Sequence, residues 1–92
     1  MSVLETKQID KALRKKGFEK KEGDHNFYYY INNGKRTNIF TKTSHSASEI
    51  NDSLISRMAK QTHLDKSQFT KLIECTLSGE KYKEILIEKN LL

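Results

Sequence analysis

Gly23-Asp24-His25-Asn26-Phe27-Tyr28-Tyr29-Tyr30-Ile31-Asn32-Asn33-Gly34 decides how this chain folds. A glycine turn, a run of aromatic and β-branched residues and an Asn-Asn-Gly turn read together as one strand with a tight turn at each end. The strand is expected over Asn26 to Ile31. Its alternation assigns Phe27, Tyr29 and Ile31 to one face and Tyr28 and Tyr30 to the other. Phe18 to Glu22 reads as the strand that enters the first turn, closed by Gly23-Asp24. Arg36 to Phe40 reads as the strand that leaves the second. Three antiparallel strands are therefore expected in the first half of the chain.

Outward from these strands the pattern turns helical. Ile9, Ala12, Leu13 and the aliphatic stem of Lys16 recur at helical spacing, which predicts a helix from Leu4 to Lys16 stopped by Gly17. Thr41 to His45 reads as a polar connection. Ser46-Ala47-Ser48-Glu49 fits a capping box that opens a helix reaching about Thr62 and burying Ile50, Leu54, Ile55, Met58 and Ala59. Asp65-Lys66-Ser67-Gln68 is a second capping-box pattern, ahead of a helix that buries Phe69, Leu72, Ile73 and Cys75. Ser78-Gly79 breaks that helix, and Glu80 to Asn90 forms the last one, with Tyr82, Ile85 and Leu86 inward. The order predicts an α+β fold: an α-β-β-β-α two-layer sandwich with two extra C-terminal helices. Both core helices would cover one sheet face and leave the other open. The double-stranded-RNA-binding domain has this arrangement, although topology alone does not carry a function.

Ninety-two residues, 35% hydrophobic and 32% charged, suit a single domain over residues 1–92 with one modest core. No run of about 18 apolar residues is present to span a membrane. The opening residues Met1 to Lys7 lack the apolar stretch of a signal peptide. A lone Cys75 cannot pair internally, so a cytoplasmic, reducing setting is expected. The Cys, His and Asp residues show no metal-site spacing, and no cofactor is implied. Charge is divided unequally. Residues 1–43 carry ten Lys or Arg against five Asp or Glu, a net of +5, whereas residues 44–92 carry seven of each. The excess is placed to attract a polyphosphate backbone, or serves only to keep the protein soluble.

His25 is the most suggestive single residue, because imidazole titrates near working pH and this one stands beside Lys20, Lys21, Lys35 and Arg36. A proton-transfer group among cations is what cleavage of an RNA backbone requires. The alternative is a turn histidine that bonds only within its own loop. Ala12-Leu13-Arg14-Lys15-Lys16-Gly17-Phe18 followed by Gly23-Asp24-His25 resembles the HicA toxins of prokaryotic toxin–antitoxin pairs. The likeness runs over roughly residues 4–62, through the basic third strand and the loop that bears His45, and leaves 63–92 as a helical extension. It implies a double-stranded-RNA-binding-like fold, cleavage of messenger RNA without the ribosome, and inhibition by a HicB-like antitoxin protein. The family's histidine falls on His25, as general base toward a ribose 2′-hydroxyl or general acid toward the leaving 5′-oxygen. Asp24 stands where the family usually carries Ser, and a carboxylate there raises a histidine pKa and repels phosphate. The proline common after the third strand is absent.

Lys20, Lys21, Lys35, Arg36 and Lys42 are the expected phosphate contacts, as a cluster rather than singly. Tyr28 and Tyr30 either stack unpaired bases on an open face or belong to the core. His45 either helps to hold a phosphate ahead of a helix N-terminus or is a solvated loop residue. His63 and Cys75 carry no expected role. The leading expectation is thus an RNA-cleaving enzyme that works without a metal. The alternatives are a non-catalytic RNA-binding module on the same fold and a protein-interaction domain that uses the C-terminal helices.

Overall fold

The computed structural model describes residues 4–43, 49–74 and 76–92. Along the chain run β1 (Leu4–Glu5), α1 (Thr6–Lys15), β2 (Phe18–Glu22), β3 (Asn26–Asn32), β4 (Lys35–Thr43), β5 (Glu49–Ile50), α2 (Asp52–Gln61), α3 (Lys66–Ile73) and α4 (Gly79–Glu88). The fold is α+β. A three-stranded antiparallel sheet has the order β2-β3-β4, and a separate short pair joins β1 to β5.

The sheet follows from its turns. Asn33 and Gly34 take the positive φ values of 54° and 78° that a two-residue hairpin needs, which sets Asn32 opposite Lys35. At the other end the Gly23 N–H donates to the His25 carbonyl at 3.0 Å and closes the turn between β2 and β3. Between Tyr29 and Ile31 the pairing with β4 shifts, and Thr37 repairs the irregularity. Its hydroxyl donates to the Tyr30 carbonyl at 2.8 Å and accepts from the Ile39 N–H at 3.2 Å. Gly17 ends α1 at φ 102°, and a Cβ there would meet the Tyr30 ring at 3.3 Å, so both backbone and packing call for glycine.

Four expected boundaries are corrected. Leu4 and Glu5 form a strand rather than the first turn of α1, with Leu4 opposite Ile50. Ile50 therefore leaves the helix assigned to it, and α2 begins after Asn51, whose side chain accepts from the Leu54 N–H at 3.0 Å. Glu49 lies in β5, so it does not close a capping box; the proposed cap Ser46 falls outside the described residues. Thr41 to Thr43 extends β4 instead of starting a loop, because alternate β-branched threonines pack inward: Thr41 and Thr43 are buried and Lys42 is exposed. The second capping box forms as read, with Asp65 and Gln68 satisfying each other's backbone N–H at 2.7 and 3.1 Å. The last helix, expected over Glu80 to Asn90, runs from Gly79 to Glu88 under a Ser78 cap.

One core joins all of this. Phe18, Tyr28, Tyr30 and Ile39 from the sheet pack with Ile9 and Leu13 of α1, Ile55 and Met58 of α2, Phe69 and Leu72 of α3, and Tyr82 and Leu86 of α4. Tyr82 lies near-parallel to Phe18 at 5.7 Å and perpendicular to Tyr30 at 5.3 Å, and its hydroxyl donates to the Thr62 carbonyl at 2.9 Å. Lys16 reaches across to the Leu77 carbonyl at 2.9 Å and ties the end of α1 to the turn before α4. The helices pack against one sheet face and leave the other free of them. Among the described residues no helix is long and apolar enough to cross a membrane.

Candidate functional site

The helix-covered face takes Tyr28 and Tyr30, which are 0% and 4% exposed. Neither ring is available to a base, and the stacking role considered for them is withdrawn. Their burial follows from the neighbours they meet. Tyr30 stands beside Phe18 and Tyr82, while the Tyr28 hydroxyl donates to Asp10 of α1 at 2.6 Å. Burial, then the hydrogen bond and charge of Asp10, push the Tyr28 hydroxyl's pKa up, so it stays neutral. Partial burial pulls the Asp10 carboxyl the other way from its partners. Bonds from Tyr28, Lys20 and Arg14 outweigh it and hold the carboxyl below its ordinary value.

The five expected phosphate contacts divide between faces. Lys20 lies on the helix side, 3.0 Å from Asp10 and 3.6 Å from Glu22, so its charge is already matched. Lys20 is thus set apart from the open face that carries Lys21, Arg36 and Lys42. Lys21 and Lys42 flank Phe27 in register on β2 and β4, both exposed and with no ion-pair partner among the described residues. Lys35 is exposed at the hairpin. Arg36 bonds Glu19 at 3.2 Å and sits over the Tyr29 ring at 4.2 Å.

His25 is half-buried at the end of this open face, its ring 6.2 Å from Phe27. It shares a cleft of about 140 Å³ with Lys42, Thr43, Arg57 and Gln61; Ile50, Leu54 and Met58 complete the lining. Among the described residues the cleft is built by the β2–β3 turn, β4, α2 and, through Ile50, β5. The β2–β3 turn supplies His25, the last inward-outward alternation of β4 supplies Lys42 and Thr43, and one side of α2 supplies Arg57 and Gln61. Thr41 donates to Gln61 at 2.7 Å and fixes the end of α2 against β4. No carboxylate lines the cleft, and Arg57, like Lys42, has no ion pair among the described residues. No hydrogen bond among the described residues engages the His25 imidazole. The cleft is small, below the roughly 300–1,000 Å³ of pockets that enclose a whole organic ligand.

Arg57 escaped the sequence reading because it lies in the charge-balanced half and only the packing of the folded chain brings it to the cleft with His25. His45 and Cys75 lie outside the described residues. His63 is exposed, at φ 64° between α2 and α3, and its carbonyl accepts from the Lys89 ammonium. A second cleft, of about 460 Å³, opens at the start of α1 beside Asp10, Lys20, Asn26 and Tyr28. It is the roomier of the two; Asp10 and Lys20 pair there at 3.0 Å, and Glu5, Thr6 and Lys7 complete its lining. Among the described residues no group of three or more His, Cys, Asp or Glu side chains is placed to hold a metal ion. Compared with family models, curated proteins and solved structures, the chain matches none of them.

Proposed function

We propose that this chain binds RNA and cleaves its backbone by proton transfer at His25, as a small toxin of the HicA type held in check by a HicB-like antitoxin. One observation carries the reading: among the described residues, the His25 imidazole, with no hydrogen bond, shares a small cleft with two cations that have no ion pair, Lys42 and Arg57, and with no carboxylate. The order α1-β2-β3-β4-β5-α2, in which β2, β3 and β4 form one antiparallel sheet, supports the same reading of a double-stranded-RNA-binding-like sandwich. Such a protein would meet its RNA in the cytoplasm.

In this mechanism the scissile phosphate sits against Lys42 and Arg57. The ribose 2′-oxygen attacks phosphorus and gives its proton to a base. The bond from phosphorus to the 5′-oxygen breaks, and that oxygen takes up a proton. The products are a 2′,3′-cyclic phosphate and a 5′-hydroxyl. His25 acts as the base in the first transfer or the acid in the second. The cations offset the charge that develops on the phosphoryl oxygens, a contribution that grows as water is excluded. Asp24 is exposed, so solvent screens its repulsion toward the phosphate.

The test is cleavage of an unstructured RNA in EDTA by wild type, His25→Ala and Arg57→Gln. Removing the acid–base group should slow cleavage roughly 10²- to 10⁴-fold with little change in RNA affinity. Removing one cation should weaken both. A His25→Ala protein that cuts at the wild-type rate, or activity that needs added Mg²⁺, would overturn the mechanism. Binding without cleavage would leave the non-catalytic RNA-binding module.

A further inference from the structure

The open face of the sheet carries a row of rings that the cleft does not use. Phe27 and Tyr29, two residues apart on β3, lie near-parallel with centroids 6.2 Å apart. Tyr29 and Phe40, directly opposed across β3 and β4, lie near-parallel at 5.6 Å. His25 stands at the Phe27 end of the row at 6.2 Å. Phe40 is 40% exposed, second among the exposed large apolar side chains of the described residues, and lies on the sheet face away from the helices. A contiguous aromatic patch left open on a small domain marks a contact surface.

Charge decides what covers it. Lys21 and Lys42 bracket Phe27, Arg36 lies over Tyr29 at 4.2 Å, and Lys35 stands at the hairpin beyond. The acid on this face, Glu19, is matched by Arg36 at 3.2 Å. An occupant that offers flat π surfaces to the rings and negative charge to the ammonium groups on either side suits this face; at Tyr29 it shares the ring with the Arg36 guanidinium. We infer that the Phe27–Tyr29–Phe40 row stacks the unpaired bases of single-stranded RNA and feeds the strand toward His25. This rests on the reading of the chain as an RNA-binding protein and adds the substrate class. Duplex RNA keeps its bases stacked on each other and presents no free ring face, so it does not satisfy the row. Stacking on aromatic side chains is tolerant of sequence because every base has a π face. The division of labour also explains the small cleft: the bases lie on the sheet, and the cleft needs room for one phosphate only.

The test measures binding without cleavage. A fluorescein-labelled 2′-O-methyl oligouridine, which has no 2′-hydroxyl to react, is titrated with wild type, Tyr29→Ala, Phe40→Ala and the ring-preserving Tyr29→Phe and Phe40→Tyr, alongside a 2′-O-methyl duplex of equal length. Thermal melts establish that each variant is folded. Each alanine variant should bind the single strand roughly 5- to 150-fold more weakly, the ring-preserving variants should bind as wild type, and wild type should prefer the single strand to the duplex. Folded alanine variants with unchanged affinity, or equal affinity for duplex, would overturn the inference while leaving RNA binding intact. Absence of binding to either RNA would remove the RNA reading itself. Loss of self-association in the alanine variants, with RNA affinity unchanged, would make the row a protein interface and also overturn it.

Discussion

Tyr82 offers the sharpest test of how the C-terminal helices are joined to the sheet. Its side chain is fully buried between Phe18 and Tyr30, and its hydroxyl donates to the Thr62 carbonyl at the end of α2. Tyr82→Phe removes the hydroxyl alone and leaves that carbonyl without this donor, at a cost of about 1 kcal/mol. Tyr82→Ala removes the ring as well, and truncating a buried aromatic to alanine costs about 3–5 kcal/mol. A domain of this size has roughly 5–15 kcal/mol in total, so the alanine variant should sit near the edge of folding. Urea unfolding at neutral pH reads both. With a slope of about 1–3 kcal/mol per molar, Tyr82→Phe should lower the midpoint by roughly 0.3–1 M and Tyr82→Ala by at least 1 M or abolish the transition. Slopes should agree across the variants that still fold. A Tyr82→Ala midpoint within a few tenths molar of wild type would refute the reasoning, because α4 would then contribute nothing to the core shared with the sheet.

Truncation after His63 removes Phe69, Leu72, Ile73, Tyr82 and Leu86 from that same core, and the product should aggregate or lose its cooperative melt; a stable, cooperatively melting fragment would contradict this. Asp10→Asn keeps a partner for the Tyr28 hydroxyl but deletes a carboxylate whose pKa is held below the ordinary 3.8. A depressed acid contributes stability above its unfolded pKa and loses it as pH falls through the folded one. The variant should therefore be about 1–2 kcal/mol less stable at pH 7, and the gap should close below about pH 4; a gap that stays constant to pH 3 would reject the assignment. Replacing Lys21, Lys35, Arg36 and Lys42 by Gln should weaken RNA binding and flatten its dependence on salt. Lys81→Gln and Lys83→Gln, next to Glu80 and Glu84, should change neither, and equal losses from both sets in a salt titration would show the interface to be elsewhere.

Much of the architecture was legible in local chemistry. Aromatic alternation, the Asn33-Gly34 turn, Gly17 and the Asp65–Gln68 capping box each act within a few residues, so the centre of the three-stranded sheet, the hairpin and two helix ends could be read directly. What escaped depends on partners far along the chain. Leu4 looks helical until Ile50 pairs with it. Thr41 and Thr43 look like a loop until α2 covers them. The same limit governed the site. Alternation separated Tyr28 and Tyr30 from Phe27 and Tyr29 correctly, but a strand alone does not say which face the helices take. The cations held a usable signal: Lys21, Arg36 and Lys42 share the parity of Phe27, Tyr29 and Phe40, and charged positions mark the solvent side. Arg57 had no such local signal, since only the packing of α2 beside the β2–β3 turn brings it to His25.

The central claim is that His25 moves a proton during cleavage of an RNA strand. The most direct measurement is the end chemistry and rate of products from a single-stranded RNA in EDTA, comparing wild type with His25→Ala. The account predicts 2′,3′-cyclic phosphate and 5′-hydroxyl ends from wild type and a rate lower by roughly 10²- to 10⁴-fold in the variant. Intact RNA with wild type, or equal cleavage by the two proteins, would contradict it.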